Sequence, residues 1–374
     1  MDGAKLNEIV QATGCAEVHH GATFLCDPHG SNGERSEVAA VQSAVCDPPS
    51  ERGDGWLCIR TGGSSGGIRF ARHDERTLRA AVTGFCAHFG LGRVNAVDVL
   101  PPHHVSGLMA RVRCAATGGM HVPWSWSRLE AGERPPVDAG DWVLSLVPTQ
   151  LHRLMESAAA QDWLRGFRLI FVGGGPLWPQ LADAAAQAEI PLAPSYGMTE
   201  TAAMVTALRP AEFLSGMRSS GSPLPHVRVT ISAEGLVRVE SESLFRGYWP
   251  AWRVARDFTT EDLGRIDARG HLHISGRRDA LIITGGKKVQ PADVEAALRA
   301  SGEFDDVAVI GLPDPVWGEC VVACYPAGQR SPNTARSIES LAAWQRPKRF
   351  VAMGEWPRNA QGKVDRAALR RLAG

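Results

Sequence analysis

From Gly55 to about Pro194, short apolar runs rich in β-formers alternate with polar loops and with segments of helical apolar spacing. Trp56-Leu-Cys-Ile-Arg60 leads into Thr61-Gly-Gly-Ser-Ser-Gly66, and Ala96-Val-Asp-Val-Leu100 into Pro101-Pro-His-His104. Trp142-Val-Leu-Ser-Leu-Val147 leads into Pro148-Thr-Gln-Leu-His-Arg-Leu154, and Arg168-Leu-Ile-Phe-Val172 into Gly173-Gly-Gly-Pro176. Strands alternating with helices predict an α/β architecture whose ligand-holding loops follow the carboxyl ends of the strands. From Pro225 the pattern becomes β-rich, with His226–Ile231, Leu236–Glu240 and His271–Ile274 as strands of a small subdomain over about 220–278. After Gly276-Arg-Arg-Asp279 the pattern predicts a compact α+β piece. It comprises a short run Leu281–Ile283, a helix Ala292–Ala300, strands Val307–Leu312 and Val321–Tyr325, and a helix near Ile338–Trp344. The expected division is a large α/β domain of stacked subdomains over 1–278 and a small α+β domain over 279–374.

Composition narrows the function. Forty basic residues balance forty acidic ones, so no global field favours nucleic acid or an anionic membrane. No apolar run approaches the ~18 residues that span a bilayer, and Asp2, Lys5 and Glu8 break the first ten residues, so a cytoplasmic location is expected. Eight cysteines at irregular spacing read as reduced and mostly buried. Cys15, His19, His20, Cys26 and His29 lie close in sequence but lack the paired C-x2-C knuckle of a metal site. Five lysines stand against thirty-five arginines, so a lysine at a motif position carries unusual information.

Two stretches carry candidate chemistry. In Thr61-Gly-Gly-Ser-Ser-Gly-Gly67, the backbone N–H groups of Gly63, Ser64, Ser65 and Gly66 can approach a polyphosphate closely, and the hydroxyls add donors. The G-x4-G-K-[ST] pattern of a Walker loop is absent. In Ser195-Tyr-Gly-Met-Thr-Glu-Thr201, Glu200 beside Thr199 offers the oxygen ligands that a hard cation such as Mg²⁺ prefers. The bland alternative for this stretch is a strand-to-helix turn with a capping residue.

Taken together these stretches resemble the adenylate-forming superfamily of acyl-CoA synthetases, luciferases and peptide-synthetase adenylation domains, from about Trp56 to Arg370. Thr61 to Arg69 is similar to the phosphate loop T-[SG]-G-[ST]-[ST]-G-x-P-K, and Ser195 to Thr201 to Y-G-x-T-E. Thr260-Glu-Asp262 with Gly264-Arg-Ile-Asp267 resembles T-G-D-x-G-x-x-D, and Gly276-Arg277 with Asp279 the G-R-x-[DK] hinge. Gly285-Gly286 through Glu295 and Pro357 through Lys363 resemble the two remaining signatures, in the correct order.

The resemblance implies an ATP-dependent acid:thiol ligase with ATP, Mg²⁺ and coenzyme A as cofactors and a mobile C-terminal domain. It places Thr61, the loop backbone and Arg69 on the phosphates, Glu200 on Mg²⁺ beside Thr199, and Asp262 and Arg277 at the ribose. Gly173, Gly174, Gly175 and Pro176 would flank adenine with Tyr196, and Ser195 and Gly197 would line the nucleotide and acid site. Lys363 would bridge the substrate carboxylate and the α-phosphate, Asp279 would be the hinge, and Gly285-Gly286 would face the thiol.

Two further stretches resemble the o-succinylbenzoate-CoA ligase family of menaquinone synthesis: Pro101-Pro-His-His-Val-Ser-Gly-Leu108 with Arg113, and Val147-Pro-Thr-Gln-Leu-His-Arg-Leu154. The implied substrate is an aromatic acid with a second carboxylate, His104 lying near the reacting carboxylate or ring and Arg113 on the second acid. Nine residues separate the two, about two and a half helical turns, so a shared pocket requires a bend between them. Otherwise Arg113 is a surface helix residue.

The chain departs from these patterns at Ile68-Arg69, where the loop has P-K, and at Glu261, which replaces a glycine beside the ribose site. Only sixty residues precede the phosphate loop, which implies a reduced N-terminal part whose open edge a homodimer could cover. Two rival functions stand beside the ligase: an aryl-AMP ligase that loads a carrier protein's phosphopantetheine, and a catalytically silent relative.

Overall fold

The computed structural model describes residues 1–44, 55–61, 67–253, 256–328, 332–358 and 364–374. They fall into two compact units, one of residues 1–177, 181–260 and 264–274, the other of 178–180, 261–263 and 275–374.

The first unit is built on a seven-stranded sheet. Its order is Ser222–Pro223, Ala203–Ala207, Leu192–Met198, Leu169–Val172, Trp142–Leu146, Asn95–Asp98 and His121–Pro123. The five strands from Leu192–Met198 to His121–Pro123 are parallel, and the other two are antiparallel. Runs such as Leu169–Val172, fully buried along their length, are what a parallel sheet covered on both faces demands.

Two helices cover one face. Glu75–Phe89 starts where the Asp74 carboxylate accepts the N–H groups of Arg76 and Thr77, and stops at left-handed Gly90. Val105–Thr117 ends in the same way at Gly118. Phe85, Ala110 and Cys114 pack with Val143, Leu169 and Phe171 of the sheet. Leu78, Val82, Leu108 and Val112 pack the other way, on Leu57 and Ile59. Those two belong to a second, four-stranded sheet ordered Ala16–His19, Ala22–Leu25, Leu57–Arg60 and Phe70–His73. The helices are thus apolar on two faces and sandwiched between sheets, each buried Leu or Phe contributing roughly 1.5–3 kcal/mol. A third sheet, Val227–Ile231, Leu236–Ser241, Asp257–Ile266 and Leu272–Arg277, is the β-rich part.

His226 lies just before that sheet, against Gly84, where an added Cβ would come 1.8 Å from its Nδ1. Both ring nitrogens are buried without a hydrogen-bond partner among the described residues, and burial pushes the imidazole pKa down to about 4. An unfolded chain takes up this proton below its ordinary 6.5, the folded chain only near 4, so the contribution to stability is full above 6.5 and is lost as pH falls. The stability difference between wild type and His226→Leu should therefore change with pH between these values, with a slope approaching about 1.4 kcal/mol per pH unit. Parallel urea-unfolding curves of the two proteins against pH check this.

In the second unit Lys287–Val289, Ile282–Thr284, Gly318–Pro326 and Ala308–Asp314 pair in that order, and Arg349–Met353 adds in parallel to Gly318–Pro326. The helix Pro291–Ala300, with proline in its first turn, buries Val294 and Leu298 on Val309 and Val321. The helix Arg366–Ala373 buries Leu369 on the opposite face, against Ile310 and Val322.

The helix expected near Ile338–Trp344 does not form; a single turn, Thr334–Ser337, precedes a run of turns. Pro347 disfavours helical backbone at Arg346 and closes the segment. Side chains bond the backbone instead, Arg346 Nε donating to the Leu341 carbonyl and Gln345 Oε1 accepting from Ala342 N–H. Leu341 still reaches the core, so the apolar pattern is honoured without the helix.

Cysteines 15, 26, 58, 86, 114, 320 and 324 are free thiols, all but Cys86 buried; Cys46 lies outside the described residues. Among the described residues no cluster of His, Cys, Asp and Glu could hold a metal ion, and no helix is long and apolar enough to cross a membrane.

Candidate active site

Ser195 to Met198 form the carboxyl end of the strand Leu192–Met198, and Thr199-Glu200-Thr201 is a tight turn that leads into the antiparallel strand Ala203–Ala207. The strand-to-helix alternative is thereby excluded. Thr201 locks the turn: its hydroxyl accepts from Met198 N–H at 3.0 Å and lies 2.6 Å from the Ala203 carbonyl. Ala202 and Ala203 then take positive φ, 53° and 84°, a strained exit for residues with a Cβ. Gly197 permits the close return, since a Cβ there would lie 2.0 Å from the Ala203 carbonyl oxygen.

The phosphate-loop ends meet this turn. Thr61 N–H donates to the Arg69 carbonyl at 2.9 Å, closing the loop between the strands Leu57–Arg60 and Phe70–His73. The Thr199 hydroxyl donates to the Arg60 carbonyl at 3.4 Å, and His73 Nε2 lies 2.8 Å from the Thr199 carbonyl. Since a carbonyl only accepts, His73 carries its proton on Nε2. The Thr61 hydroxyl is buried with no hydrogen-bond partner among the described residues, an orphaned donor at the mouth of the loop. Gly63, Ser64, Ser65 and Gly66 lie outside the described residues, as does Lys363.

Glu200 is 8% exposed, and its Oε1 accepts a hydrogen bond from the Tyr248 hydroxyl at 2.7 Å. Among the described residues no cation pairs with this carboxylate, so a buried negative charge is met by one neutral donor. That donor set suits Mg²⁺, which binds through one or two carboxylates and completes its shell with substrate phosphates and water. Arg69 lies over the Tyr248 ring at 4.5 Å, placing a guanidinium beside the same point. Burial first, and then the Glu200 carboxylate, pushes the Tyr248 phenol above its ordinary pKa. Tyr248, His73 and the buried Asp74–Arg246 pair at 2.8 Å were missed in the sequence. The scarcity of tyrosine, three in the chain, with two of them here, was the available signal.

Gly173 to Pro176 follow the strand Leu169–Val172, next to Ser195; a Cβ on Gly173 would lie 3.0 Å from the Ser195 hydroxyl oxygen, and Gly174 has φ 76°. Tyr196 packs one side on Val205, Val229 and Val239.

His104 is buried and precedes the helix Val105–Thr117 with extended backbone, φ −95° and ψ 150°; its ring lies 4.3 Å from that of His103. The helix runs unbroken past Arg113, so the bend required for a compact shared pocket is absent and the two residues lie about 13 Å apart along the axis. Nor is Arg113 a surface residue. It is 4% exposed, with its guanidinium 4.2 Å from the Phe85 ring centroid and 6.0 Å from that of Phe171. Its Nε has no hydrogen-bond partner among the described residues, and burial lowers its pKa to about 10. A buried guanidinium with no ion pair among the described residues is costly.

In the second unit Arg277 donates to Asp262 at 3.3 Å and, as a fork, to Asp279 at 2.7 and 2.8 Å. Arg278 grips Glu261 by two bonds of 2.7 and 2.8 Å, neutralising the carboxylate that replaces the motif glycine. Gly285 and Gly286 have φ of 54° and 72°, and Gly285 abuts Trp317, where a Cβ would meet the indole at 2.7 Å. Trp317 and Trp344 are each 49% exposed, with Lys348 5.6 Å and Lys287 5.8 Å from the respective ring centroids. Sequence reading passed over these two tryptophan–lysine pairs.

The sequence profile of AMP-binding enzymes matches residues 6–249, and that of the AMP-binding enzyme C-terminal domain matches residues 293–363. The chain belongs to the AMP-binding enzyme family. This AMP-binding enzyme is 32% identical over 346 residues to the probable 2-succinylbenzoate–CoA ligase of Mycobacterium tuberculosis, covering 85% of each chain. It is 32% identical over 295 residues to the 2-succinylbenzoate–CoA ligase of Geobacillus kaustophilus, covering 73% of this chain and 60% of that one. The o-succinylbenzoate CoA synthetase of Bacillus subtilis, solved with its acyl-adenylate intermediate, superposes with a TM-score of 0.73 at 25% identity, over 84% of this chain and 69% of that one. The mixed α/β fold, the adenylate-forming kinship and the resemblance to 2-succinylbenzoate–CoA ligases expected from the motifs are borne out, and the chain is an AMP-forming acid–thiol ligase by class.

Proposed function

We propose that the chain activates a 2-succinylbenzoate-type diacid as its acyl-adenylate and transfers the acyl group to coenzyme A. A carboxylate oxygen attacks the α-phosphorus of ATP, the bond to the β,γ-diphosphate breaks, and acyl-AMP and diphosphate form. The thiol then attacks the acyl carbon, AMP leaves, and the thiol proton passes to solvent. The first step brings two anions together, so catalysis consists of holding and neutralising charge.

In this reading Thr61, the loop backbone and Arg69 hold the phosphates, and Glu200, beside Thr199, holds the Mg²⁺ that screens them. Asp262 and Arg277 take the ribose, and Gly173–Pro176 with Ser195, Tyr196 and Gly197 take the base and the reacting end. Lys363 bridges the carboxylate and the α-phosphate. Asp279 is the hinge on which the smaller unit turns, Gly285-Gly286 then facing the thiol. Coenzyme A is favoured over a carrier protein by Trp317 and Trp344, half-exposed indoles each with a lysine ammonium over the ring, a pairing of aromatic surface and positive charge that suits adenine and phosphate.

The observation that carries the choice of acid is the buried guanidinium of Arg113, which has no ion pair among the described residues and rests on two aromatic rings. An aromatic diacid at the start of the helix would put its reacting end near His104 and its second carboxylate toward Arg113, whose long side chain tilts toward the helix N-terminus and covers part of the separation. Arg113→Met should raise KM for 2-succinylbenzoate by about ten- to a hundred-fold, the loss of a charge-assisted bond, with KM for ATP unchanged. The variant should melt no lower than wild type, because an unpaired buried charge is gone. Steady-state kinetics with the diacid decide, and an unchanged KM removes Arg113 from the acid site.

A further inference from the structure

Two contacts hold Glu200 from one short segment. Phe245 N–H donates to the Glu200 carbonyl at 2.8 Å, and three residues on the Tyr248 hydroxyl donates to Glu200 Oε1 at 2.7 Å. The segment is itself anchored to the strand that leaves the phosphate loop: Tyr248 bridges Ala71, and Trp249 N–H donates to the Phe70 carbonyl at 2.9 Å. Arg246 pairs with buried Asp74 at 2.8 Å. The phenol ring is held on two sides, by the Arg69 guanidinium at 4.5 Å and by Phe245 edge-on at 4.8 Å.

We propose that Tyr248 is the positioning residue for cation binding by Glu200, its hydroxyl engaging Oε1 so that Oε2 faces the nucleotide's cation. Arg69 completes the device. A cation above the ring draws electron density from the phenol and strengthens its O–H as a donor, and a planar guanidinium stacks on an aromatic face better than an ammonium does. The departure from lysine at the end of the phosphate loop is thus matched by an aromatic seat for arginine. The inference rests on the proposed role of Glu200 as the residue that holds Mg²⁺.

Tyr248→Phe removes one oxygen and leaves the ring, the stack and the fold. The test compares wild type, Tyr248→Phe and Glu200→Gln for Mn²⁺ binding in the presence of a non-hydrolysable ATP analogue, followed by electron paramagnetic resonance, and for the Mg²⁺ dependence of adenylation. Tyr248→Phe is expected to weaken Mn²⁺ binding about ten-fold or more, the effect of losing a hydrogen bond to a charged group. The half-saturating Mg²⁺ concentration should rise in step, while thioester formation from supplied acyl-AMP is unchanged. A Tyr248→Phe protein with wild-type Mn²⁺ affinity, whatever its melting temperature, overturns the proposal while leaving Glu200 in place if Glu200→Gln binds weakly. Wild-type Mn²⁺ affinity in Glu200→Gln overturns both. Arg69→Lys, which keeps the charge and loses the planar stack, should shift Mn²⁺ affinity in the same direction by a smaller factor, and no shift there removes Arg69 from the device.

Discussion

Lys363→Ala should abolish the first half-reaction and spare the second. Acyl-AMP formation is expected to fall by about a hundred- to a thousand-fold, the loss that follows removal of one group aimed at developing charge. Thioester formation from supplied acyl-AMP and coenzyme A should stay close to wild type. The reason is electrostatic: a carboxylate approaching a triphosphate meets repulsion that one ammonium bridging both anions can offset, whereas a thiol attacking an acyl carbon meets none of it. A chain with five lysines keeps one inside the Pro357-Arg-Asn-Ala-Gln-Gly-Lys363 signature. Rapid-quench measurement of each half-reaction separates the outcomes, and equal loss in both would show that this lysine serves binding or folding rather than the first step.

Glu200→Gln is the second large effect. The amide keeps the size of the side chain and can still accept from Tyr248, so the turn between the strands Leu192–Met198 and Ala203–Ala207 should survive. What disappears is the negative charge. Adenylation at a fixed Mg²⁺ concentration is expected to drop by about a hundred-fold or more, with partial recovery as Mg²⁺ is raised. Without nucleotide, the variant should be as stable as wild type or more so, because a buried carboxylate with no cation partner among the described residues costs the fold. Lower activity together with a melting temperature several degrees lower would point instead to a structural role for the carboxylate.

The contrast between these two residues shows what the sequence made legible. The motif residues Thr61, Arg69, Thr199 and Glu200 could be singled out because each stretch has a local signature, and the structure draws them round one turn. The parallel sheet was legible because strands buried on both faces leave continuous apolar runs such as Leu169–Val172. Tyr248 was not, because its meaning lies in a bond to a residue 48 positions away and in a ring contact with Arg69, neither of which leaves a periodic trace. The Glu261 departure looked like a charge misplaced beside the ribose residue until the structure paired it with Arg278, a residue of the hinge motif itself. Arg113 was expected either at a bent pocket or on a surface. A helical pattern gives a residue's phase but does not reveal that a second sheet covers the helix, which is why both alternatives missed a guanidinium buried on Phe85. The absent helix near Ile338–Trp344 failed for a local reason, since apolar spacing at Ile338 and Leu341 serves turns as well as helices when Pro347 closes the segment.

The central claim is that an oxygen of the acid's own carboxylate displaces diphosphate from the α-phosphorus. Turnover of 2-succinylbenzoate carrying ¹⁸O in the reacting carboxyl group, with unlabelled ATP, Mg²⁺ and coenzyme A, tests it directly by mass spectrometry of the products. One ¹⁸O per molecule should appear in AMP, with diphosphate unlabelled and the acyl-CoA retaining the other oxygen. Unlabelled AMP, or label in phosphate or diphosphate, would contradict the account.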